Sequence, residues 1–523
     1  MRRHRVITFP TAAVTVNVMR FGSVILVAML FAFIATSSAA DTPPTLWVAT
    51  DGVDADDRDG SKTQALRTLG YACERIAKSQ RVDDEVATIH IRSGVHYADR
   101  VAVAPPRTRI VGNGFHGDGS NFSIIRASDA FIIPKVTSDK DAQDAAESLL
   151  HVPPSSDGVT VYGVQFESPD GKDGSMDRPI GGGIYLQRTR DVKIDTCRFD
   201  NFRWFGVRAD ICENVEIASC GFRRCSRQRR GHRLGNITTR FLKNSRIHHC
   251  RVAPDPDGGG YGYKGGGHEG VSFDHNTVTR CYFAIESPHE NEFGFEIHHN
   301  DLDGAISVPK GGQGADPNER GFKHAVEIHH NRMLDSYGIE GPRNHMRVHH
   351  NHIYVQNNNG RIYAQFGGLN DGPVVFDHNV IENVDRNLLW VRTGRAADVT
   401  FRCNTVFLSE AGTRRGDVFS IWSGEHIDDW TIEKNLIVAA FNGPRRLFRN
   451  ERGVGDKITV RDNHLVHLKD LPDAVAANNR VGGFPNLVGG DASKPFPFFE
   501  YADGNAIVGA TAEGGEPFEV GPK

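Results

Sequence analysis

The sequence predicts an all-β chain wound into a parallel coil, and three observations predict it. A short phrase with strict two-residue alternation recurs along most of the 523 residues. The spacing between copies varies, and the extra residues fall in intervals rich in Gly, Asp and Pro. Each copy carries Asn or Cys at one fixed place. Alternation of Val, Ile and Phe at period two marks strands, whereas helical repeats of this length would show a 3.6 period. A strand that returns in the same sense every ~25 residues can pair only in parallel, rung on rung at ~4.8 Å.

The copies run Val192–Phe199, Val215–Phe222, Arg246–Val252, Val271–Val278 and Phe295–Leu302. Further copies centre on Asn331, Asn351, Asn379, Asn404, Asn435 and Asn463. Val159–Phe166 is a degenerate first copy, so about 12 rungs are expected. Stacked Asn amides donate and accept along the axis and suit a bent backbone. Cys197, Cys220 and Cys250 stand at that place in early copies, which fits a tight interior slot. Ahead of the repeat, Leu46–Thr50, Thr88–Ile91 and Arg109–Val111 read as strands. Between the first two lie an acidic turn, Asp51–Gly60, and an amphipathic segment, Ala65–Ala77. The latter sets Leu66, Leu69, Ala72, Cys73 and Ile76 on one side, and as a helix it would cover the open first rung. Past residue 466 the repeat fades into a Pro- and Gly-punctuated cap.

Residues 1–40 have the make-up of a secretory signal: Arg2, Arg3, Arg5 and Arg20, then an apolar run from Phe21 to Ile34, then Ser38-Ala39-Ala40. Cleavage after Ala40 would start the mature chain at Asp41, in the periplasm or outside the cell. The expected organisation is therefore a signal at 1–40, a strand, acidic turn and capping helix at 41–87, the coil at 88–466 and a C-terminal cap at 467–523. Net charge is −4, and −8 without the four arginines of the signal, the wrong sign for a nucleic-acid partner. Beyond the signal no apolar run reaches the ~18 residues a membrane span needs. All eight cysteines follow the signal. Export would permit disulfides, with Cys212 and Cys225 able to bridge neighbouring turns; buried free thiols are the alternative.

The repeat, the opening Val-Ala-Thr-Asp-Gly (Val48–Gly52) with Asp-Gly-Ser (Asp59–Ser61), and the Phe-Pro-Asn-Leu-Val stretch (Phe484–Val488) resemble secreted right-handed parallel β-helix proteins of the pectate-lyase-like superfamily. The resemblance covers roughly residues 45–510 and implies a single right-handed parallel β-helix with an N-terminal helical cap. That superfamily holds polysaccharide lyases, inverting hydrolases, uronate epimerases and proteins of no known activity, so the fold does not choose a chemistry.

About ten residues after each Asn a second strand recurs: Phe205–Arg208, Tyr261–Lys264, Phe283–Glu286, Ala305–Ser307, Tyr337–Glu340, Ile362–Gln365 and Leu389–Arg392. Alternation turns Val207, Tyr263, Ile285, Ile339 and Ala364 inward. It sets Arg208, Lys264, Glu286, Ser307, Glu340, Gln365 and Arg392 outward on adjacent rungs. The outward site two residues earlier is mostly small (Gly206, Gly262, Ala284, Gly338) and becomes Tyr363 and Trp390. A small-residue floor beside charges, bounded by aromatics, suits a groove for an extracellular, uronate-containing polysaccharide. The alternative is a solvated charged face.

Two mechanisms fit the row, with cleavage by a lyase slightly ahead of hydrolysis, and a non-catalytic glycan-binding or surface-structural rod is the alternative from another class. Glu286 and Glu340, two rungs apart, match the acid and base of an inverting hydrolase. For a lyase, Lys264 or Lys310 would take the proton α to a uronate carboxylate, with Arg343, Arg361 or Arg392 neutralising that carboxylate; Glu286 beside Lys264 counts against a Lys264 base. Arg208, Tyr363, Gln365 and Trp390 complete the expected substrate contacts. Ser287-Pro288-His289-Glu290 resembles the Asp-Pro-His-Glu motif of alginate C5-epimerases, which implies proton transfer by His289; Ser287 stands where that motif has Asp. Histidines at 248, 298, 329 and 349, and at 249, 275, 299, 330, 350 and 378, form two outward lines. Lines do not converge on one metal, so stacking is expected and no metal site is assigned. The Asp51–Asp59 turn leaves calcium open as a cofactor, without the spacing of a calcium hand. The arginine run Arg223–Arg233 is either a grip for an anionic glycan or a solvated loop.

Overall fold

The structure is a computed structural model that describes residues 44–79, 85–114, 122–133, 140–169, 180–226, 235–253, 260–281, 283–287, 292–308, 316–336, 338–341, 344–355, 364–366, 372–384, 387–391, 396–408, 417–421, 427–439, 445–449, 456–482, 487–488 and 500–501. The chain divides into two units, Met1–Pro44 and Thr45–Lys523, and residues 1–40, where a signal is expected, lie outside the described residues. Among those residues no helix is long and apolar enough to cross a membrane.

Three long parallel sheets build the second unit. Sheet A has 15 strands and begins at Thr45–Val48; sheet B has 15 and begins at Gly94–Ala98; sheet C has 12 and begins at Ala102–Val103. From Gly94–Ala98 to Leu436–Ala439 successive strands visit B, C and A in turn, so each circuit there adds one strand to every sheet. The recurring phrase is therefore not one strand but two. Val192 to Phe199, for example, is a sheet A strand (Arg190–Asp195), a corner at Thr196-Cys197, and a sheet B strand (Arg198–Asp200). The bend comes from a left-handed residue directly before the Asn or Cys. Thr196, Ser219, His249, His275, His299, His330, His350, His378, Cys403, Lys434 and Asp462 all have φ between 52° and 57°. A side chain that folds back onto the corner offsets part of this backbone cost.

Inside each corner runs the amide ladder. Asn276 Nδ2 donates to Asn300 Oδ1 at 3.2 Å and to the Ile247 carbonyl at 2.9 Å, and its own N–H is held by Asn300 Oδ1. The pattern repeats through Asn300, Asn331, Asn351, Asn379, Asn404, Asn435 and Asn463 to Asn479. Cysteine imitates it: Cys250 Sγ donates to the Ile217 carbonyl at 3.6 Å and Cys220 Sγ to that of Ile194 at 3.6 Å. Burial pushes the Cys73, Cys212 and Cys225 thiols up to about 12. All eight cysteines are free thiols, so the alternative of a Cys212–Cys225 bridge falls away; those two stand at different corners.

Between the corners the core is mainly apolar, with Phe166, Phe199 and Phe222 stacked on consecutive sheet B strands at 5.5 and 4.9 Å. Helix α1, Leu69–Lys78, is capped by Thr68 and buries Leu69, Ala72, Cys73 and Ile76 at the start of the coil. Its start falls after Leu66, which instead bridges Val48 as an extended residue. The acidic turn serves the helix: Asp54 accepts from the Arg67 and Thr68 amides and the Thr68 hydroxyl, and Asp56 from the Tyr71 hydroxyl. At the far end a short helix, α3 (Asp473–Ala477), sets Val475 into the core, and Asn479 closes the amide ladder. An earlier helix, α2 (Lys140–Ala146), packs against the outside of sheet C.

Candidate active site on sheet C

Register fixes which outward residues are neighbours. One row of sheet C reads Tyr185, Arg208, Thr238, Lys264, Glu286, Ser307, Glu340, Gln365, Trp390 and Ser420 on successive strands. Lys264, Glu286, Ser307 and Glu340 thus stand in the predicted order, with the two glutamates two rungs apart. Three expectations need correction. The strand Gly235–Arg240 puts Thr238 between Arg208 and Lys264, a rung that has no charged residue in this row to flag it. Trp390, not Arg392, pairs with Gln365, a shift of two residues. Arg208 does not lie open on the outer face as expected: it is buried under α2, ion-paired to Asp144 and Asp210, with Asp141 at 3.2 Å, and stacked over Tyr185.

The small residues are also not a groove floor. A Cβ on Gly206 would meet the Phe222 ring at 2.6 Å, and one on Gly262 would meet Val278 at 2.5 Å; both partners lie on the inner face of sheet B. Ala284 is likewise in the core. At the entry to sheet C the chain bends, so two consecutive residues, such as Gly262 and Tyr263, face inward and the one before them faces out. Simple alternation misassigns this corner. The outward position belongs instead to Tyr261 and Phe283, stacked at 5.7 Å beside Ala305.

Lys264 is seated on that pair: its Nζ lies 4.7 Å from the Tyr261 ring centre and 2.9 Å from Glu286 Oε2. Both side chains are mostly covered, 23% and 13% exposed, so the pair is weakly screened compared with a surface ion pair. Ser307 is buried, and Glu340 and Trp390 are half-buried. Lys310, His289, Arg343, Arg361, Tyr363 and Arg392 lie outside the described residues, as does the Gln365 side chain.

Sequence reasoning missed a buried polar network behind this pair. Beyond Lys264 the chain turns through Gly265–Gly267 to His268. The His268 Nδ1 meets Glu292 Oε2 at 2.6 Å, and its Nε2 lies 2.8 Å from the Tyr263 hydroxyl and 2.9 Å from that of Thr239. Ser287, next to Glu286, donates to the other Glu292 oxygen. All five side chains are buried. A satisfied network of this kind fixes the two turns that follow Lys264 and Glu286. Its one sequence signal was the pairing of a lone His and a lone Glu with the same corner of adjacent rungs. Around that corner, a cavity of about 520 Å³ is lined by Ile211, Phe241, Gly267, Phe293 and Arg320, among others.

The histidine lines do stack. Rings at 249, 275, 299, 330, 350 and 378 lie face to face at 4.9–5.1 Å, and those at 298, 329 and 349 at 4.9 Å. Among the described residues no group of three or more His, Cys, Asp or Glu is arranged to hold a metal ion. Arg223 and Arg224 of the basic run pair with Asp200; the rest of that run from 227 lies outside the described residues.

Residues 155–406, a little under half of the chain, match a family described as right handed beta helix region. No curated protein matches the chain. Among solved structures it is similar to the PL6 family alginate lyase AlyGC, at 12% identity and a TM-score of 0.48, covering 86% of this chain and 56% of that one. It is also similar to DFA-IIIase from Arthrobacter chlorophenolicus A6 in complex with DFA-III, at 12% identity and a TM-score of 0.40, covering 83% and 97%. The same enzyme in complex with GF2 gives 12% identity, a TM-score of 0.36, and coverage of 79% and 94%. These likenesses concern the fold.

Proposed function

We propose that this right-handed parallel β-helix protein is carbohydrate-active and cleaves an extracellular polysaccharide laid along the outer face of sheet C. The observation that carries the reading is the row Lys264, Glu286, Ser307, Glu340, which sets two carboxylates two rungs apart beside a cation on an aromatic pair. Two rungs amount to roughly 9–10 Å. That is the upper end of the ~6.5–9.5 Å over which one carboxyl group protonates the leaving oxygen while the other activates a water. Glu340 is assigned as the acid and Glu286 as the base. Lys264 would orient the sugar and hold Glu286 in place.

A uronate lyase is the second reading, and Lys264 favours it. An ammonium already engaged with a carboxylate has no lone pair to offer, so Lys264 is not the base. A uronate carboxylate that took the place of Glu286 on Lys264 would free Glu286 to accept the proton α to it, the electrons of that C–H bond forming the new C=C bond as the C–O bond to the leaving sugar breaks and Glu340 protonates the departing oxygen. Export after cleavage at Ala40 belongs to the proposal; N-terminal sequencing of protein recovered from the medium tests it.

The deciding experiment incubates the chain with pectin, alginate, ulvan and glycosaminoglycans and follows reducing ends together with ultraviolet absorbance. New reducing ends alone mean hydrolysis; with absorbance of unsaturated uronates they mean elimination. Glu286→Gln and Glu340→Gln are each expected to lower the rate by about 10²–10⁴-fold. If no polymer is shortened and the two variants only weaken binding, the protein is a glycan-binding scaffold. Activity that survives both changes and Lys264→Ala overturns the site.

A further inference from the structure

The corner between sheets A and B carries a feature that the sheet C site does not use. Over six consecutive rungs the left-handed corner residue is histidine: His249, His275, His299, His330, His350 and His378. Their rings form one column with interplanar angles of 2–4°. The residue just before each is His or Asp, and these form a second column at the end of the sheet A strands: His248, Asp274, His298, His329, His349 and Asp377. The columns are joined rung by rung. The Nδ1 atoms of His248 and His249, of His298 and His299, and of His329 and His330 lie 2.9 Å apart, and those of His349 and His350 lie 2.8 Å apart. At the Asp rungs, His275 Nδ1 meets Asp274 at 2.8 Å and His378 Nδ1 meets Asp377 at 3.2 Å.

A hydrogen bond between two Nδ1 atoms requires one N–H and one lone pair. If both rings of a pair become imidazolium, the lone pair is gone and two N–H groups face each other across less than 3 Å, with further cations stacked about 5 Å above and below. We propose that these two columns are an acid-operated latch, closing the corner over the rungs from His248 to His378 while each His–His pair keeps one Nδ1 lone pair and opening those rungs together when protons take those lone pairs. The rungs beyond, with Cys403, Lys434 and Asp462 at the corner, lack the device.

The groups that face the columns set where it operates. From sheet A, Glu216 holds His248 Nε2 at 3.1 Å, Ser272 holds His298 Nε2 at 3.1 Å, and Glu327 holds His349 Nε2 at 2.8 Å. Arg246 clamps Asp274; Arg347 clamps Asp377, which Arg402 approaches at 3.8 Å. Glu296 stands between Ser272 and Glu327, and Cys403 follows His378 on the next rung. His324, before the Val326–His329 strand, lies near Glu327 and Arg347. Burial, and then neighbouring imidazoles, hold His329 and His350 at about 3; burial holds His298 and His330 at about 4. His378 runs the other way: burial opposes its charge, but the bond to Asp377 outweighs this and raises it to about 9.

For the four depressed rings the unfolded chain takes up protons below about pH 6.5 and the closed corner does not, so closure weakens as pH falls from there towards 3–4. Near pH 5 the opening constant should rise by up to about 10⁴-fold per pH unit. Hydrogen–deuterium exchange of the full chain, corrected for intrinsic exchange, reads this directly. Peptides spanning His298–Asn300, His329–Asn331 and His349–Asn351 should lose protection on acidification before peptides spanning Asn404 and Asn435. The double variant His330→Asn, His350→Asn keeps a residue type that accepts the left-handed backbone. It should cut the pH dependence by about 100-fold per unit. An unchanged dependence, or protection lost evenly over all corners, overturns the latch. Nitrogen-15 spectra of histidine-labelled wild type test it independently of the variant: neutral rings at 298, 329, 330 and 350 at pH 5.5 support it, and imidazolium signals there refute it.

Discussion

Replacing Asn331 by Ala probes the amide ladder at its centre. Asn331 is buried; its Oδ1 accepts from the Asn300 amide N–H at 3.1 Å and its Nδ2 donates to the Ile297 carbonyl at 2.8 Å. Alanine leaves that N–H and that carbonyl inside the coil without these partners. At about 1–3 kcal/mol for each stranded group, with a small cavity added, the loss should be about 3–5 kcal/mol. Asn331→Cys is the informative control. Three corners before, Cys250 meets the carbonyl of Ile217 while Asn276 Oδ1 holds the Cys250 N–H, so a thiol can serve as donor although not as acceptor. The cysteine variant should therefore recover roughly half of the loss. Equilibrium urea unfolding followed by far-ultraviolet circular dichroism measures both. An alanine variant that loses less than about 1 kcal/mol, or a cysteine variant no better than alanine, would refute the ladder as a source of stability.

Three further outcomes follow from the same geometry. Gly206→Ala pushes a Cβ to 2.6 Å from the Phe222 ring and should destabilise by about 1–3 kcal/mol in thermal melts; a glycine on an outer groove floor would tolerate the change. Arg208→Met leaves Asp144 and Asp210 as unpaired buried carboxylates and should cost about 3–5 kcal/mol, with the rate per folded molecule on any polysaccharide substrate unchanged. Asp274 and Asp377 are held well below the usual carboxylate range: burial works against their charge, but hydrogen bonds from Arg246, Ser272 and His275 in the first and from His378 and Arg347 in the second prevail. Because the folded values are depressed, their stabilisation is present above about pH 4 and is lost as pH falls further, so Asp377→Asn should flatten acid unfolding below pH 4.

The coil was legible because its determinants are local and repeated. Each rung carries its own alternation and its own Asn or Cys, and eleven imperfect copies outvote any one of them. The row Lys264, Glu286, Ser307, Glu340 was legible for the same reason, since register follows once the copies are aligned. What failed was whatever depends on one corner rather than on the average. Gly262 and Tyr263 both face inward because the chain bends as it enters sheet C, a change of direction that a period-two rule cannot contain. Thr238 escaped notice because its rung carries no charge in that row, and Arg208 looked available because the helix that covers it, Lys140–Ala146, stands outside the repeat.

The same division bears on where function can reside. Positions repeated from rung to rung, such as the corner amides, hold the coil together and do little to distinguish one rung from its neighbours. Chemistry needs a place where the repeat is broken. On sheet C the break is at Lys264 and Glu286, where a cation meets a carboxylate at 2.9 Å on an aromatic pair found on two rungs, with His268 and Glu292 buried at the turns behind them. Glu292 also accepts from the His268 backbone N–H at 2.9 Å. Replacing His268 by Phe and Glu292 by Leu together strands that N–H and the Ser287 hydroxyl and should cost about 2–6 kcal/mol in thermal melts. If the network holds Lys264 and Glu286 in place for catalysis, the same pair of changes should lower kcat on the substrate while KM moves little. If kcat is unmoved, the network serves the fold alone, and the site must be sought at another break in the repeat.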